Sequence, residues 1–176
     1  AASDVYKRQE LLKTKVKVYR TIAASNGMPA GSFYVAGGKE LLTKAATEYG
    51  VYAEPIAAMP KDAKEIKPSR IALYDYYGGS MPSGWVRWML EQFHFDYSLL
   101  FAKEINETNL SEKYDVILFI GPGVPGPTQA RAGRSLPKAE EIDEKYHHML
   151  GYFTKNESVP QLKKFLEQGG EILTVG

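Results

Sequence analysis

Residues 70–93, RIALYDYYGGSMPSGWVRWMLEQF, decide the fold of this chain. Residues 70–77 have the length and apolar composition of a buried strand. A corner rich in glycine and serine follows, and residues 83–93 then carry apolar side chains at helical spacing. A strand, a glycine-rich corner and a helix in this order are typical of α/β proteins. Such a corner either binds a ligand or only turns the chain.

The rest of the chain continues this alternation. Residues 96–105, DYSLLFAKEI, predict a second strand, and residues 109–121, NLSEKYDVILFIG, predict a short helical turn and a third strand. The polar residues 138–153 predict a helix over part of their length. Residues 159–170, VPQLKKFLEQGG, predict another helix, and residues 171–175, EILTV, a fourth strand. Right-handed crossovers between these strands predict an α/β fold with a doubly wound, mainly parallel, flavodoxin-like sheet over residues 69–176.

The first 68 residues follow a different pattern. Residues 1–20 are predicted to be a linker or a non-native leader, in which VKVYR (16–20) is either a short edge strand or part of the linker. Residues 21–68 predict a short β-α segment, with a strand at SFYV (32–35) and a helix in GKELLTKAATEYG (38–50) that stops at its last glycine. A connector rich in proline and lysine then runs to Pro68.

Composition excludes several classes of function. The 176 residues include no cysteine, so a disulfide framework, a thiolate zinc site and a cysteine nucleophile are excluded within this chain. The net charge of +1 gives no support for a nucleic-acid or membrane-surface partner. No apolar run approaches the roughly 20 residues that span a bilayer. The sequence lacks an initial methionine and ends on a strand pattern, so we expect a fragment whose last domain is incomplete at its C-terminus.

Two glycine-rich corners are the candidate ligand site. The first and third strands of a doubly wound sheet flank the point where strand order reverses, and ligands bind there. An anion at this crevice would use backbone N–H groups. Neither corner matches the G-x-G-x-x-G or G-x-x-x-x-G-K-[ST] patterns, so we favour glycines that only allow a positive φ and a serine, Ser80 or Ser83, that only caps the helix. The candidate ligand-binding residues are Gly78, Gly79, Ser80, Arg87, Gly121 and Gly123.

The aromatic helix after the first corner predicts core packing. Trp85, Met89 and Phe93 share one stripe at i, i+4, i+8, whereas Trp88 points elsewhere, toward a partner or a domain interface. His147 and His148 are adjacent, and adjacent residues on a helix point in different directions, so we favour a solvated polar helix over a metal site. Neither H-E-x-x-H nor G-x-S-x-G occurs.

One stretch of sequence resembles a known family. Arg70–Tyr74, Gly84–Phe93 and Leu110–Leu118 resemble the hallmarks R-[IV]-[AG]-L-Y, G-W-x-R-W-x-L-E-Q-F and L-x-x-x-Y-D-V-I-L. These hallmarks are similar to those of the C-terminal, class I glutamine amidotransferase-like domain of large bacterial zinc carboxypeptidases of the carboxypeptidase A type. GMPAGSFYVAGG (27–38) and FLEQGGEILTVG (165–176) add weaker similarity.

The resemblance implies a limited function. The zinc ligands and the catalytic glutamate of that family lie in a peptidase domain, and no residue of this chain matches them. The resemblance therefore implies a non-catalytic accessory domain with no cofactor of its own, with zinc in the parent peptidase domain and that domain as its partner. It also implies a secreted or periplasmic location. The sequence leaves the oligomeric state open.

Two alternatives remain. The chain is a stand-alone flavodoxin-like module that binds a small anionic ligand at the corners 78–84 and 121–126, or it is part of an active amidotransferase-like enzyme. The second alternative requires a nucleophilic cysteine beyond Gly176, because this chain has none.

Overall fold

The computed structural model describes residues 2–14, 16–24, 28–50, 52–121 and 136–176. The chain divides into two compact units, Ala1–Pro68 and Ser69–Gly176. Within the described ranges, every helix falls short of the length and apolarity that crossing a bilayer requires.

The first unit is built around a small antiparallel sheet with the strand order β2-β1-β3. Helix α2 ends at Gly50, whose φ of 62° is the left-handed conformation that favours glycine at a helix end. The elements of this unit are α1 (Ala2–Lys13), β1 (Val18–Thr21), β2 (Phe33–Val35), α2 (Lys39–Tyr49) and β3 (Ala63–Ile66).

Two features of the first unit differ from the sequence analysis. VKVYR was predicted as an edge strand or a linker, but β1 lies in the centre of the sheet, because residues 63–66 of the connector pair with its second side. Strand β3 was not predicted from the sequence because prolines and lysines surround residues 63–66. In addition, residues 2–13 of the predicted linker or leader form α1.

The second unit alternates strands and helices, as the sequence predicts. Helix α5 and strand β6 fall where the short helical turn and the third strand were expected. Its elements are β4 (Ile71–Tyr74), α3 (Met81–Gln92), β5 (Tyr97–Leu100), α4 (Ala102–Glu107), α5 (Leu110–Lys113), β6 (Val116–Ile120), two 3-10 helices (Ala139–Glu141 and Glu144–Met149), α6 (Ser158–Glu167) and β7 (Glu171–Val175).

The four strands of this unit form a parallel sheet in the order β5-β4-β6-β7. The α/β class and the parallel sheet flanked by helices are therefore confirmed, and the strand order is compatible with a flavodoxin-like fold. Strands β4 and β6, the first and third of the unit, are neighbours. Their carboxyl ends, and the two corners that follow them, lie at the same edge of the sheet.

Two segments of the second unit were predicted wrongly or incompletely. Residues 96–105 were predicted as one strand, but β5 ends at Leu100 and α4 begins at Ala102. Ala102 and Ile105 are buried at helical spacing, and this signal was overlooked beside the apolar run before it. Within residues 138–153, the structure has two short 3-10 helices instead of an α-helix.

The main core lies on one face of the parallel sheet. Ala72 and Tyr74 of β4 pack there with residues of α4, α5 and α6, such as Ile105, Leu110 and Phe165. Because side chains alternate along a strand, Leu73 faces the opposite side, where it is fully buried. Helix α3, whose Leu90 is buried, contributes no residue to the main core cluster and contacts β6.

Arg70 joins the starts of β4 and β6. Its backbone N–H donates to Asp115 Oδ2 at 2.8 Å, and its Nη2 donates to Asp115 Oδ1 at 2.6 Å. The same guanidinium donates to the carbonyls of Ser111 and Glu112 at the end of α5. The side-chain hydrogen bond from Arg70 lowers the pKa of Asp115, and the same bond raises the pKa of Arg70. Two residues that carry the family resemblance therefore pair with each other.

We predict that Gly170→Ala destabilises the second unit. A Cβ atom at Gly170 would overlap the ring of Phe165, which is a fully buried core residue. Overpacking of this kind costs about 1–3 kcal/mol, measurable by urea unfolding. Gly84→Ala is the matched control, because a Cβ there meets nothing within 4 Å, and replacing a helical glycine stabilises by roughly 0.5–1 kcal/mol. Equal effects of the two substitutions would contradict the packing of Gly170 on Phe165.

We also predict acid sensitivity from the pair of Arg70 and Asp115. The pKa of Asp115 is lower in the folded chain than the ordinary value of an aspartate, because its carboxylate accepts hydrogen bonds from Arg70. Its stabilising contribution is therefore complete above about pH 4 and is lost as the pH falls through the lowered folded pKa. Asp115→Asn should reduce the urea midpoint at pH 7 and flatten its decline below pH 4. A decline as steep as that of the parent chain would show that other carboxylates govern the acid response.

Candidate functional site

The corner after β4 is built around the buried carboxylate of Asp75. This side chain is 4% exposed. Its Oδ2 accepts a hydrogen bond from the Ser83 hydroxyl at 2.9 Å, and its Oδ1 accepts one from the backbone N–H of Tyr76 at 2.9 Å. A buried carboxylate is tolerated only with such partners. The contacts attach the end of β4 to the first turn of α3.

The two glycines of this corner turn the chain. Gly78 and Gly79 have φ values of +87° and +63°, in a region of backbone conformation that residues other than glycine rarely adopt. The N–H of Gly79 donates to the carbonyl of Tyr76 at 2.8 Å, which closes a tight turn. The predicted conformational role of these glycines is confirmed.

Ser80 caps helix α3. Its hydroxyl oxygen accepts a hydrogen bond from the backbone N–H of Ser83 at 3.2 Å. Pro82, in the first turn of α3, has no backbone N–H. The first turn of α3 therefore has few N–H donors left for an anion, and the Asp75 carboxylate beside it disfavours negative charge.

Gly121 begins the second corner, directly after β6. Its φ is +127°, and its N–H donates to the carbonyl of Val175 at 2.8 Å, so this donor belongs to the pairing of β6 with β7. Gly123 and the rest of the second corner up to residue 126 lie outside the described residues. The structure brings Gly121 to the edge of the sheet that also carries Gly78–Ser80, as expected from the parallel strand order.

Arg87 contributes to a polar network between α3 and β5. Its Nε donates to the phenol oxygen of Tyr97 at 3.4 Å, and the Tyr97 hydroxyl donates to Glu91 Oε1 at 2.6 Å. The hydrogen bond to Tyr97 raises the pKa of Arg87. These contacts give Arg87 a structural use beside its predicted use as an anion ligand.

The sequence predicted that Trp85, Met89 and Phe93 form a core stripe on α3, and this prediction is wrong for Trp85 and Met89. Trp85 is 65% exposed and Met89 46% exposed, and only Phe93 is half-buried. Trp88, predicted to point away from the core, is 55% exposed and packs edge-to-face on Trp85 at 6.1 Å between ring centroids.

The contact between Ser83 and Asp75 explains this orientation. Each helical residue rotates the side-chain direction by about 100°, so Leu90, seven residues after Ser83, returns to the same buried face. Met81, Trp85, Trp88 and Met89 then fall on the opposite side. We call this exposed set the tryptophan face. Among the exposed residues of α3, only Glu91 is charged.

A shallow pocket of about 330 Å³ lies between α4 and the 3-10 helix Glu144–Met149. The ring of His148 packs edge-to-face on Phe101 at its rim. Glu104, another rim residue, already accepts hydrogen bonds from Lys113 and Tyr114. Its lining comprises Leu99, Phe101, Lys103, Glu104, Glu107, Thr108, His148 and Met149.

The two adjacent histidines make separate contacts, and Tyr74 is buried in the main core. His147 Nε2 lies 2.9 Å from the carbonyl of Ala139, whereas His148 contacts Phe101. In the described residues, no group of three or more His, Asp or Glu side chains is placed to hold a metal ion. Burial, followed by the charge of Asp75, raises the pKa of Tyr74 to about 12, so its phenol stays protonated at neutral pH.

Asp75 is the residue that the sequence analysis missed. The available signal was a single acidic residue directly after a buried apolar strand, at the strand end where polar groups meet in parallel sheets.

Comparison with known proteins adds no assignment, since no family model, curated protein or solved structure matches this chain.

We predict that Ser83→Ala destabilises the second unit by about 1–3 kcal/mol, because it removes a hydrogen bond from a buried carboxylate. Urea unfolding measures the change. Ser98→Ala is the control, because Ser98 is exposed in β5, and exposed substitutions usually stay within about 0.5 kcal/mol. A neutral Ser83→Ala would mean that Asp75 does not depend on this hydroxyl.

We predict opposite outcomes for the two faces of α3. Leu90→Ala should cost about 2–5 kcal/mol, as expected for a buried leucine. Trp85→Ala and Trp88→Ala should each stay within about 1 kcal/mol, because both indoles are largely exposed. If the tryptophan substitutions destabilised the chain as much as Leu90→Ala, the tryptophan face would be part of the core.

Proposed function

We propose that residues 69–176 are a non-catalytic, amidotransferase-like accessory domain of a secreted bacterial zinc carboxypeptidase. The tryptophan face of α3 docks on the peptidase domain of the same parent protein. Zinc and the catalytic groups belong to that peptidase domain, and this domain positions or stabilises it.

The tryptophan face is the observation that carries this proposal. Exposed tryptophan and methionine side chains with little charge among them are typical of protein interfaces. Trp85 and Trp88 also carry the most specific part of the family resemblance, G-W-x-R-W, yet they contribute little to the core of their own unit. Within the same motif, Leu90 serves the core and Arg87 and Glu91 hold Tyr97. Contact with a partner domain would explain why these two exposed positions are tryptophan, because packing within the unit does not.

The chemistry of the strand ends supports a non-catalytic role. The groups of Asp75, Ser80 and Ser83 are used in hydrogen bonds with one another and with the backbone. Residues 69–176 themselves contain no cysteine that could serve as the nucleophile of an amidotransferase reaction, so that reaction would need a residue beyond Gly176.

A test of the proposal begins with the open reading frame that encodes this chain. We expect an upstream domain with H-x-x-E and a later histidine, and a purified parent protein that releases C-terminal residues from a peptide and loses this activity with a zinc chelator. A parent protein without such a domain would refute the proposal.

Docking is tested by hydrogen–deuterium exchange of α3. We expect slower exchange of its amides in the parent protein than in the present chain, and loss of the difference in a parent carrying both Trp85→Glu and Trp88→Glu. Tyr152→Glu is the matched control, because Tyr152 is 43% exposed outside the tryptophan face. Equal exchange in parent and chain would exclude docking through α3 even where the peptidase activity is present.

A second candidate is a flavodoxin-like module that binds a small anion. The adjacency of β4 and β6 favours it, because both corners then share one sheet edge. Titration with inorganic phosphate, followed by the NMR shifts of the Gly78, Gly79 and Gly121 amides, separates the two candidates. Saturable shifts at these amides would favour the binding module, and unchanged shifts would favour the accessory domain.

A further inference from the structure

The pocket between α4 and the second 3-10 helix is lined by one positive and one negative side chain that have no partner of their own. Lys103 and Glu107 line it from α4. Within the described part of the chain, neither side chain takes part in a hydrogen bond or an ion pair. Glu104 on the same helix differs, because it accepts hydrogen bonds from Lys113 Nζ at 2.8 Å and from the Tyr114 hydroxyl at 3.0 Å. Lys103 and Glu107 therefore remain available to a ligand in the pocket.

The spacing of these two charges suits a small molecule that carries both signs. Lys103 and Glu107 lie one helical turn apart, about 6 Å along the axis of α4. A lysine that precedes a glutamate by four residues pairs with it less well than in the reverse order. Both side chains are exposed and long enough to converge on one ligand. An ammonium and a carboxylate on the same molecule would satisfy both.

The rest of the pocket is apolar and partly aromatic. Phe101 is buried and forms an edge-to-face contact with the ring of His148, with 5.4 Å between the ring centroids. Leu99 and Met149 extend this apolar surface. The volume of about 330 Å³ lies at the low end of the range for small-molecule sites. A ligand of this pocket is therefore small and places an apolar group against Phe101 and His148.

We propose that this pocket binds a free α-amino acid with an apolar side chain, such as leucine. The Lys103 ammonium donates to the carboxylate of the amino acid, and the Glu107 carboxylate accepts from its ammonium group. The apolar side chain packs on Phe101 and His148. This assignment stands on the pocket alone and is independent of the proposed accessory role.

Titration of the chain with L-leucine, followed by amide NMR shifts, tests the proposal. Saturable shifts are expected at residues 103–108 and 148–149. Three related probes each lack one feature of the ligand: N-acetyl-L-leucine has no ammonium, L-leucinamide has no carboxylate, and glycine has no apolar side chain. Each should bind about tenfold more weakly than L-leucine, because each loses a charge-assisted hydrogen bond or the apolar contact.

Substitutions on α4 test the assigned contacts. Lys103→Gln and Glu107→Gln should each raise the dissociation constant of L-leucine about tenfold. Lys163→Gln and Glu167→Gln are the matched controls, because these residues are an exposed lysine and glutamate with the same spacing on α6 and do not line the pocket. The controls should leave the dissociation constant unchanged, and urea unfolding should show that all four variants are folded.

Four results would each overturn the proposal. The first is the absence of saturable shifts at the pocket with L-leucine. The second is an unchanged dissociation constant in Lys103→Gln or Glu107→Gln. The third is an equal loss of affinity in the α6 controls, which would indicate a general effect of surface charge. The fourth is binding of N-acetyl-L-leucine as tight as that of L-leucine, which would make the pocket a site for peptide C-termini instead of free amino acids.

Discussion

The buried carboxylate of Asp75 is the constraint on which the orientation of the tryptophan face depends. Its hydrogen bond from the Ser83 hydroxyl fixes the rotation of helix α3 at the end of β4. Once Ser83 faces inward, helical geometry places Leu90 inward as well and directs Trp85, Trp88 and Met89 to the solvent side. One polar contact in the corner thereby decides which half of an almost uncharged helix is core and which half is surface.

The same contact limits what the strand-end crevice does. In doubly wound proteins, this edge of the sheet is where ligands bind. Here the carboxylate of Asp75 lies beneath the corner, Ser80 caps α3, and Gly121 donates to Val175. Among the described residues of the two corners, these groups are engaged in hydrogen bonds that stabilise the corner, whereas Trp85 and Trp88 expose aromatic side chains that the core of the unit does not bury. This contrast supports the proposed docking of α3 on another protein domain.

The sequence predicted the strand and helix order of the second unit because apolar runs and glycine stops mark its elements clearly. It failed where the signal depends on tertiary contacts. Ala102 and Ile105 become helical because that face meets the core, and β3 exists because β1 accepts it as a partner. The stripe of Trp85, Met89 and Phe93 was assigned to the core because periodicity gives a face but not its direction. That direction is set by Asp75 and Ser83, whose contact spans eight residues and carries no periodic signature.

Tryptophan fluorescence tests this account most directly, because Trp85 and Trp88 are the only two tryptophans of the chain. The account predicts that the folded chain emits at a wavelength typical of solvated indole and that acrylamide quenches it nearly as efficiently as it quenches the chain in urea. A blue-shifted emission that resists acrylamide in the folded chain, and becomes quenchable only on unfolding, would contradict the account. It would place the two indoles in the interior and remove the surface on which the proposed function depends.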